Sequence, residues 1–265
     1  MAEFHGRAGF EETRFEKDAR LGGARFQGSP QLGPLVCRGT VDLASAVFSV
    51  AVTLELAAYR VDCRHTRWTA KAALRLRHAA VNLGEAMLEF PVSVAAHPPF
   101  TVQDSATDDA APHDSTLDES GLSESIRHGS GLDEAPVRMA SLHGVDASHL
   151  VLTDIDLREC RFAGTIHLDQ LRLYGRCTFP GTPTGLRRRG PLPLRWTSRQ
   201  TLAEEQYWRA SREGPESGWL ADPEGRPAVR PEALAPVYRD LRKGFEDAKN
   251  EPGAADFYYG EMGAA

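Results

Sequence analysis

Few side chains in this sequence have the type and spacing to do chemistry. The four cysteines, Cys37, Cys63, Cys160 and Cys177, contain no CxxC pair, so neither a zinc knuckle nor a redox dithiol is predicted. Four in 265 residues do not suggest a disulfide framework, and reduced thiols in a cytoplasmic protein are the expectation. Histidines 5, 65, 78, 97, 113, 128, 143, 149 and 167 follow no metal-ligand spacing. His143 and His149 flank the returning repeats, and six residues apart suits neither a helical nor a strand pair. No GxxxxGK[ST], GxGxxG or GxSxG segment occurs. Glu204 and Glu205 are adjacent on a predicted helix and so point to different sides. Arg187, Arg188 and Arg189 could meet a phosphate or an acidic partner, with a solvated basic loop as the plainer reading. The inventory predicts no catalytic residue, no metal and no cofactor.

The elements that position these residues are marked by a repeat. In "ARLGGARFQG", residues 19–28, the chain says nearly the same thing twice in five-residue units. A period of five fits neither a helix nor a strand. The Leu or Phe of each unit gives centres Phe4, Phe10, Phe15, Leu21 and Phe26. Two of these steps are six residues long. A small residue stands two before each centre (Ala2, Ala8, Thr13, Ala19, Ala24), and positions two apart on an extended chain face one side. Each unit then reads as one short side of a coil, with the trailing Gly or polar residues turning the corner.

From Leu43 a strict five-step frame gives centres Leu43, Phe48, Thr53, Ala58, Cys63, Trp68, Ala73, His78, Leu83 and Leu88. The paired inward positions include Val41, Ala46, Ala51, Leu56 and Lys71. Lys71 and His78 break the rule, and Phe48, Val50, Val52, Leu54 and Leu56 alternate as an ordinary strand. The repeat returns in "LVLTDIDLRECRFAGTIHLDQLRLYGRCTF", with centres Leu152, Leu157, Phe162, Leu168, Leu173 and Phe179. Cys63, Cys160 and Cys177 fall on inward positions and read as small core residues rather than nucleophiles. Coils stacked at strand spacing would bury this ladder as one continuous core.

Between the two repeat blocks, residues 98–136 carry nine acids and one base, a balance of −8 in a chain of −6, so the remainder is +2. Rich in Ser, Asp, Gly and Pro, the stretch reads as a disordered acidic insertion. No apolar h-region follows Met1, and no apolar run reaches the ~18 residues of a membrane span. Residues 181–196 read as a linker. Residues 197–265 read as helical: a first helix carries Leu202, Gln206, Tyr207 and Ala210 on one face. A second aligns Leu234, Tyr238, Leu241 and Phe245, with Pro236 in its first turn. "EPGAADFYYGEM" then folds back as a third, with Phe257, Tyr258 and Met262 as its apolar stripe. The organisation is thus β-helix over 1–97 and 137–180, insertion over 98–136, linker over 181–196 and helical region over 197–265.

The units "AEFHG", "ARLGGARFQG" and "IDLRECRFAG" resemble the pentapeptide-repeat family. The longer segments "VRMASLHGVDASHLVLTDIDLRECRFAGTIHLDQLRLYGRCTF" and "YRDLRKGFEDAKNEPGAADFYYGEM" resemble its actinobacterial (Streptomyces-type) members with a helical C-terminal region. The resemblance implies a mainly β fold, a right-handed quadrilateral β-helix, followed by a helical segment or hairpin. It also implies a non-enzymatic scaffold that binds an unknown protein partner, at the periphery of the membrane or on a membrane protein. Arg187–Arg189 and the aromatic run Phe257, Tyr258 and Tyr259 are the candidate partner-binding residues. The alternative is the DNA-mimicking, topoisomerase-binding role of some pentapeptide-repeat proteins. Such a role needs an acidic rod, which the +2 balance outside the insertion disfavours. An oxidoreductase activity comes third, implied only by the naming of some relatives, with no residue here to support it.

Overall fold

The computed structural model describes residues 2–11, 13–97, 136–184, 186–189, 192–195, 197–214 and 217–264. The predicted acidic insertion therefore lies outside the described residues, apart from Pro136. The first coils contain β1 (Glu3–Phe4), β2 (Thr13–Phe15), β3 (Ala19–Arg20), β4 (Arg25–Phe26), β5 (Gln31–Asp42) and β6 (Val47–Phe48). Next come β7 (Val52–Asp62), β8 (Arg67–Trp68), β9 (Ala72–Arg77), β10 (Ala80–Asn82), β11 (Met87–Leu88) and β12 (Val92–Ala96). Beyond the insertion lie β13 (Arg138–Ser141), β14 (Leu150–Thr153) and β15 (Arg172–Tyr174). All of these pair in parallel, as successive coils of one solenoid of about six turns.

The register explains the slipping frame. Phe4 pairs with Phe26, Phe26 with Phe48, Phe48 with Trp68, and Trp68 with Leu88. The coil closes after 22 residues twice and then after 20, which is four five-residue sides. The two six-residue steps between Phe4 and Phe26 supply the extra length of the first coil. Beyond the insertion the stack continues, since β13 pairs with β10 and β14 with β12. Both repeat blocks therefore belong to one sheet.

Equivalent inward residues stack because parallel strands place them one spacing apart. The rings of Phe4, Phe26, Phe48 and Trp68 lie face to face, with centroids 5.0, 4.8 and 4.1 Å apart and planes within 7°. Phe26, Leu43, Phe48, Leu83, Leu88, Leu152, Leu157, Phe162, Leu168 and Phe179 are buried, while Phe4, Phe10, Phe15, Leu21 and Leu173 are half-buried against the same core. One corner repeats a single turn. Asp42, Asp62, Asn82 and Ser141 each accept the backbone N–H two residues on. Ser45, His65 and Glu85 then take φ of 59°, 55° and 57° in the left-handed region, so a polar side chain replaces the turn that glycine makes at Gly23 and Gly144.

The strict frame fails on the long strands. Thr53, Ala73 and His78 are only half-buried, and Ala51 and Lys71 are exposed. Along the 11 residues of β7 the period of two wins, so Val52, Leu54 and Leu56 point inward instead. The inward ladder there is Leu32, Leu54, Leu74, Val94, Leu152 and Leu173.

The predicted linker contains an antiparallel strand pair, β16 (Leu186–Arg189) with β17 (Leu192–Arg195). Three helices follow: α1 (Ala203–Glu213), α2 (Pro231–Asp247) and α3 (Glu251–Ala264). Because α2 begins at Pro231, Pro236 lies beyond the first turn. α2 and α3 form an antiparallel hairpin on the last coil. Phe257 lies 5.1 Å from Phe179, 5.1 Å from Phe245 and 5.6 Å from Tyr238, ring to ring. The stripe of α3 is Ala254, Phe257 and Gly260; Tyr258 and Met262 are exposed, contrary to the expected stripe. The helical hairpin and the coils share one continuous apolar core.

Gly260 is what lets α3 approach α2 this closely. A Cβ at that position would fall inside van der Waals contact of the Tyr238 ring. Gly260→Ala is therefore expected to lower stability by about 1–3 kcal/mol through overpacking, read as a lower Tm by calorimetry. An unchanged Tm would mean that the two helices do not pack ring against backbone here.

Candidate functional site

Two surfaces follow from the coil geometry. The first is the outer side of the broad sheet formed by β5, β7, β9, β12 and β14. Its register places Thr53, Ala73, Ser93 and Val151 in one row across four coils. Their inward neighbours, Val52, Leu54, Val92, Val94 and Leu152, are buried, so the row itself faces out. The side chains are short and uncharged, which makes this side nearly flat. A shallow depression of about 380 Å³ runs along it between Ala51, Ala73, Ser93 and Val151. The adjoining row carries Glu55 and Arg75, paired at 2.9 Å. Tyr59 and Tyr174 stand exposed on the same sheet.

The second surface is built by α1, which places Glu204, Glu205 and Gln206 in the interior, all three buried. Glu204 and Glu205 do point to different sides. Glu204 Oε1 accepts the backbone N–H groups of Phe162 and Ala163 at 2.5 and 2.9 Å. Its Oε2 has no hydrogen-bond partner among the described residues. Burial raises the Glu204 carboxyl above the ordinary carboxylate range, against the opposing pull of those N–H groups. Glu205 Oε1 accepts from Arg199 at 2.6 Å and Arg209 at 2.7 Å, and its Oε2 accepts the Tyr238 hydroxyl. Gln206 donates to the Gly181 carbonyl at 2.7 Å and to the Thr201 hydroxyl at 2.8 Å. The helical pattern set Gln206 on the face of Leu202, Tyr207 and Ala210, but nothing in the sequence signalled the burial of Glu204 and Glu205. Their partners come from four separate segments, which sequence spacing alone does not bring together.

Next to Glu204 lies a polar cleft of about 490 Å³ between the coil corner at Arg60, Arg64, Asn82 and Ser141 and the segment carrying Glu224, Arg226 and Val229. A half-buried ion pair from Arg161 to Asp222 ties that segment to the coils. Arg161 also stands 5.4 Å over the Tyr207 ring.

The structure places the predicted partner-binding residues apart. Arg187, Arg188 and Arg189 lie in β16, paired across from Leu194, Pro193 and Leu192. Tyr258 and Tyr259 are exposed at 49% and 65%, but Phe257 is wholly buried and belongs to the core. It is corrected on that ground: its face of α3 turns onto Phe179 and Phe245. All four cysteines are free thiols, with Cys37, Cys63 and Cys160 buried. Burial pushes each thiol above its ordinary pKa, which opposes thiolate formation. Among the described residues no group of three or more His, Cys, Asp or Glu could hold a metal ion. No helix among them is long and apolar enough to cross a membrane.

The fold defines the class: a parallel β-solenoid with a helical C-terminus. No family model, characterised protein or solved structure matches the chain.

Proposed function

We propose that this chain is a pentapeptide-repeat scaffold of the actinobacterial type, which works by binding another protein rather than by catalysis. Coils of four five-residue sides support the family reading. The observation that carries the function is the flat outer row of Thr53, Ala73, Ser93 and Val151. A rigid surface of short side chains loses little side-chain entropy when a partner covers it. The flanking Glu55–Arg75 pair and exposed Tyr59 and Tyr174 offer polar and aromatic contacts around it. The partner class includes proteins at the inner face of the membrane. DNA mimicry lacks comparable support, because the outward rows mix signs, as in Arg67 with Glu89 and Arg75 with Glu55.

The double variant Ala73→Arg, Ser93→Glu, which sets opposite charges side by side, tests the reading. Both positions face outward, so stability is expected to change by no more than about 0.5 kcal/mol. Partners captured by the wild-type chain in a cross-linked pull-down are expected to be lost. Retention of all of them by a folded double variant would overturn this surface as the docking site. Repeating the capture on soluble and membrane fractions assigns the partner to one or the other.

A further inference from the structure

The polar cleft beside α1 holds charges that are almost all matched. Arg64 grips Asp62 through Nε and Nη2, at 2.9 and 2.7 Å. Arg161 pairs with Asp222 and Arg226 with Glu224, and His65 Nδ1 lies 3.2 Å from the Glu85 carboxylate. Two groups of opposite character are left over. The Arg60 side chain is exposed and makes no hydrogen bond or ion pair among the described residues, though it lies within electrostatic reach of Asp62. Glu204, 1% exposed, keeps Oε2 without a hydrogen-bond partner. A buried polar atom without a partner is costly and rare in folded proteins. Both residues line the same cleft.

The wall between them is furnished for hydroxyl groups. Asn82 uses its Oδ1 on the Gly84 N–H, leaving its amide N–H groups to donate. Ser141 Oγ accepts the His143 N–H, leaving its own hydroxyl hydrogen to donate. His143 Nδ1 faces the Ala163 carbonyl at 2.5 Å and must donate to it, so Nε2 is left over in the neutral ring.

We propose that this cleft binds a small polyhydroxylated anion, of the sugar-acid or sugar-phosphate class. Its anionic group meets Arg60, its hydroxyls meet Asn82, Ser141 and His143, and one hydroxyl donates to Glu204 Oε2. This goes beyond the docking role and does not rest on it, since Arg60 and Glu204 lie outside the flat row. The size of the cleft, about 490 Å³, falls in the ordinary range for small-molecule sites.

Gluconate, glucose 6-phosphate, glucose, inorganic phosphate and glutamate are the probes, titrated against the full chain by calorimetry and thermal shift. At least one of gluconate and glucose 6-phosphate is expected to bind. At a hundredfold excess over its Kd it should raise Tm by about 4 °C or more. The probe that binds decides between a carboxylate and a phosphate as the anionic group. Arg60→Gln, at an exposed position, is expected to fold normally and weaken that binding at least about tenfold. Glu204→Gln keeps one oxygen for the Phe162 and Ala163 N–H groups but sets an amide donor where the hydroxyl donates. It should weaken binding to a similar degree. Failure of both hydroxylated anions to bind overturns the proposal. Equal binding by glucose, phosphate or glutamate overturns it too, as does undiminished binding in Arg60→Gln.

Discussion

Phe162→Asp is expected to unfold the C-terminal coils, lowering stability by more than about 4 kcal/mol. Phe162 is fully buried, and its ring lies 6.0 Å from that of Phe179. Its backbone N–H and that of Ala163 hold Glu204 Oε1. Truncating a buried Phe costs about 3–5 kcal/mol in lost transfer energy and cavity formation. An aspartate then adds an unpaired carboxyl close to the already buried Glu204, so the two penalties act together. Chemical denaturation followed by circular dichroism reads the loss. A folded variant with an unchanged midpoint would mean that Phe162 does not point inward. Phe162→Leu keeps an apolar side chain of nearly the right bulk and is expected to remain folded.

Removing residues 232–265 is the second large change. The truncated chain is expected to aggregate or to melt at least about 10 °C earlier. Leu234, Tyr238, Leu241 and Phe257 are buried against the last coil. At roughly 1.5–3 kcal/mol per large apolar side chain, their loss approaches the whole net stability of an ordinary domain. Phe179, Leu168 and Leu171 would be opened to water. Tyr238 also accepts the Leu202 N–H at 3.0 Å and donates to Glu205, so α1 would lose its anchor. An open solenoid end invites edge-to-edge pairing, which is why such folds are capped. The competing role for the hairpin is docking of a partner. A truncated chain that stays soluble, keeps its Tm and loses its partners would establish docking and refute the cap. Size-exclusion chromatography with a thermal melt distinguishes the two outcomes.

Much of the solenoid was legible because its rule is local. A large apolar residue every five positions with a small one two before it can bury only on a coil, whatever the distant sequence does. The two six-residue steps between Phe4 and Phe26 even carried the length of the first coil. The frame failed at Thr53 and Ala73 because two local periods compete along β7 and β9, and at His78 because it stands at the corner after β9 with φ of 56°. Along β7 the alternation of Val52, Leu54 and Leu56 matches the pleat, and burial of three Leu or Val side chains outweighs a fixed five-residue count. The stripe of α2 was readable for the same local reason, through Leu234, Tyr238 and Leu241. That of α3 was misread, because apolar character alone ranks Tyr258 and Met262 above Gly260, yet the close approach to Tyr238 selects the residue without a side chain.

The sequence by itself determined that the chain coils, which large apolar residues face in outside the long strands, and that a helical region with the apolar stripe of α2 follows. These are consequences of periodicity, and periodicity is written in neighbouring residues. Only the tertiary structure decided which polar groups are buried and what they meet. Glu204 and Glu205 read only as carboxylates on different sides of a helix and Gln206 as part of its packing face, but stacking α1 on the last coil brings Phe162, Arg199, Tyr238 and Gly181 to them. The same stacking leaves Glu204 Oε2 and Arg60 as the unmatched groups of one cleft. Desolvation and hydrogen-bond pairing depend on separations in space between segments tens of residues apart, and no local pattern encodes those separations.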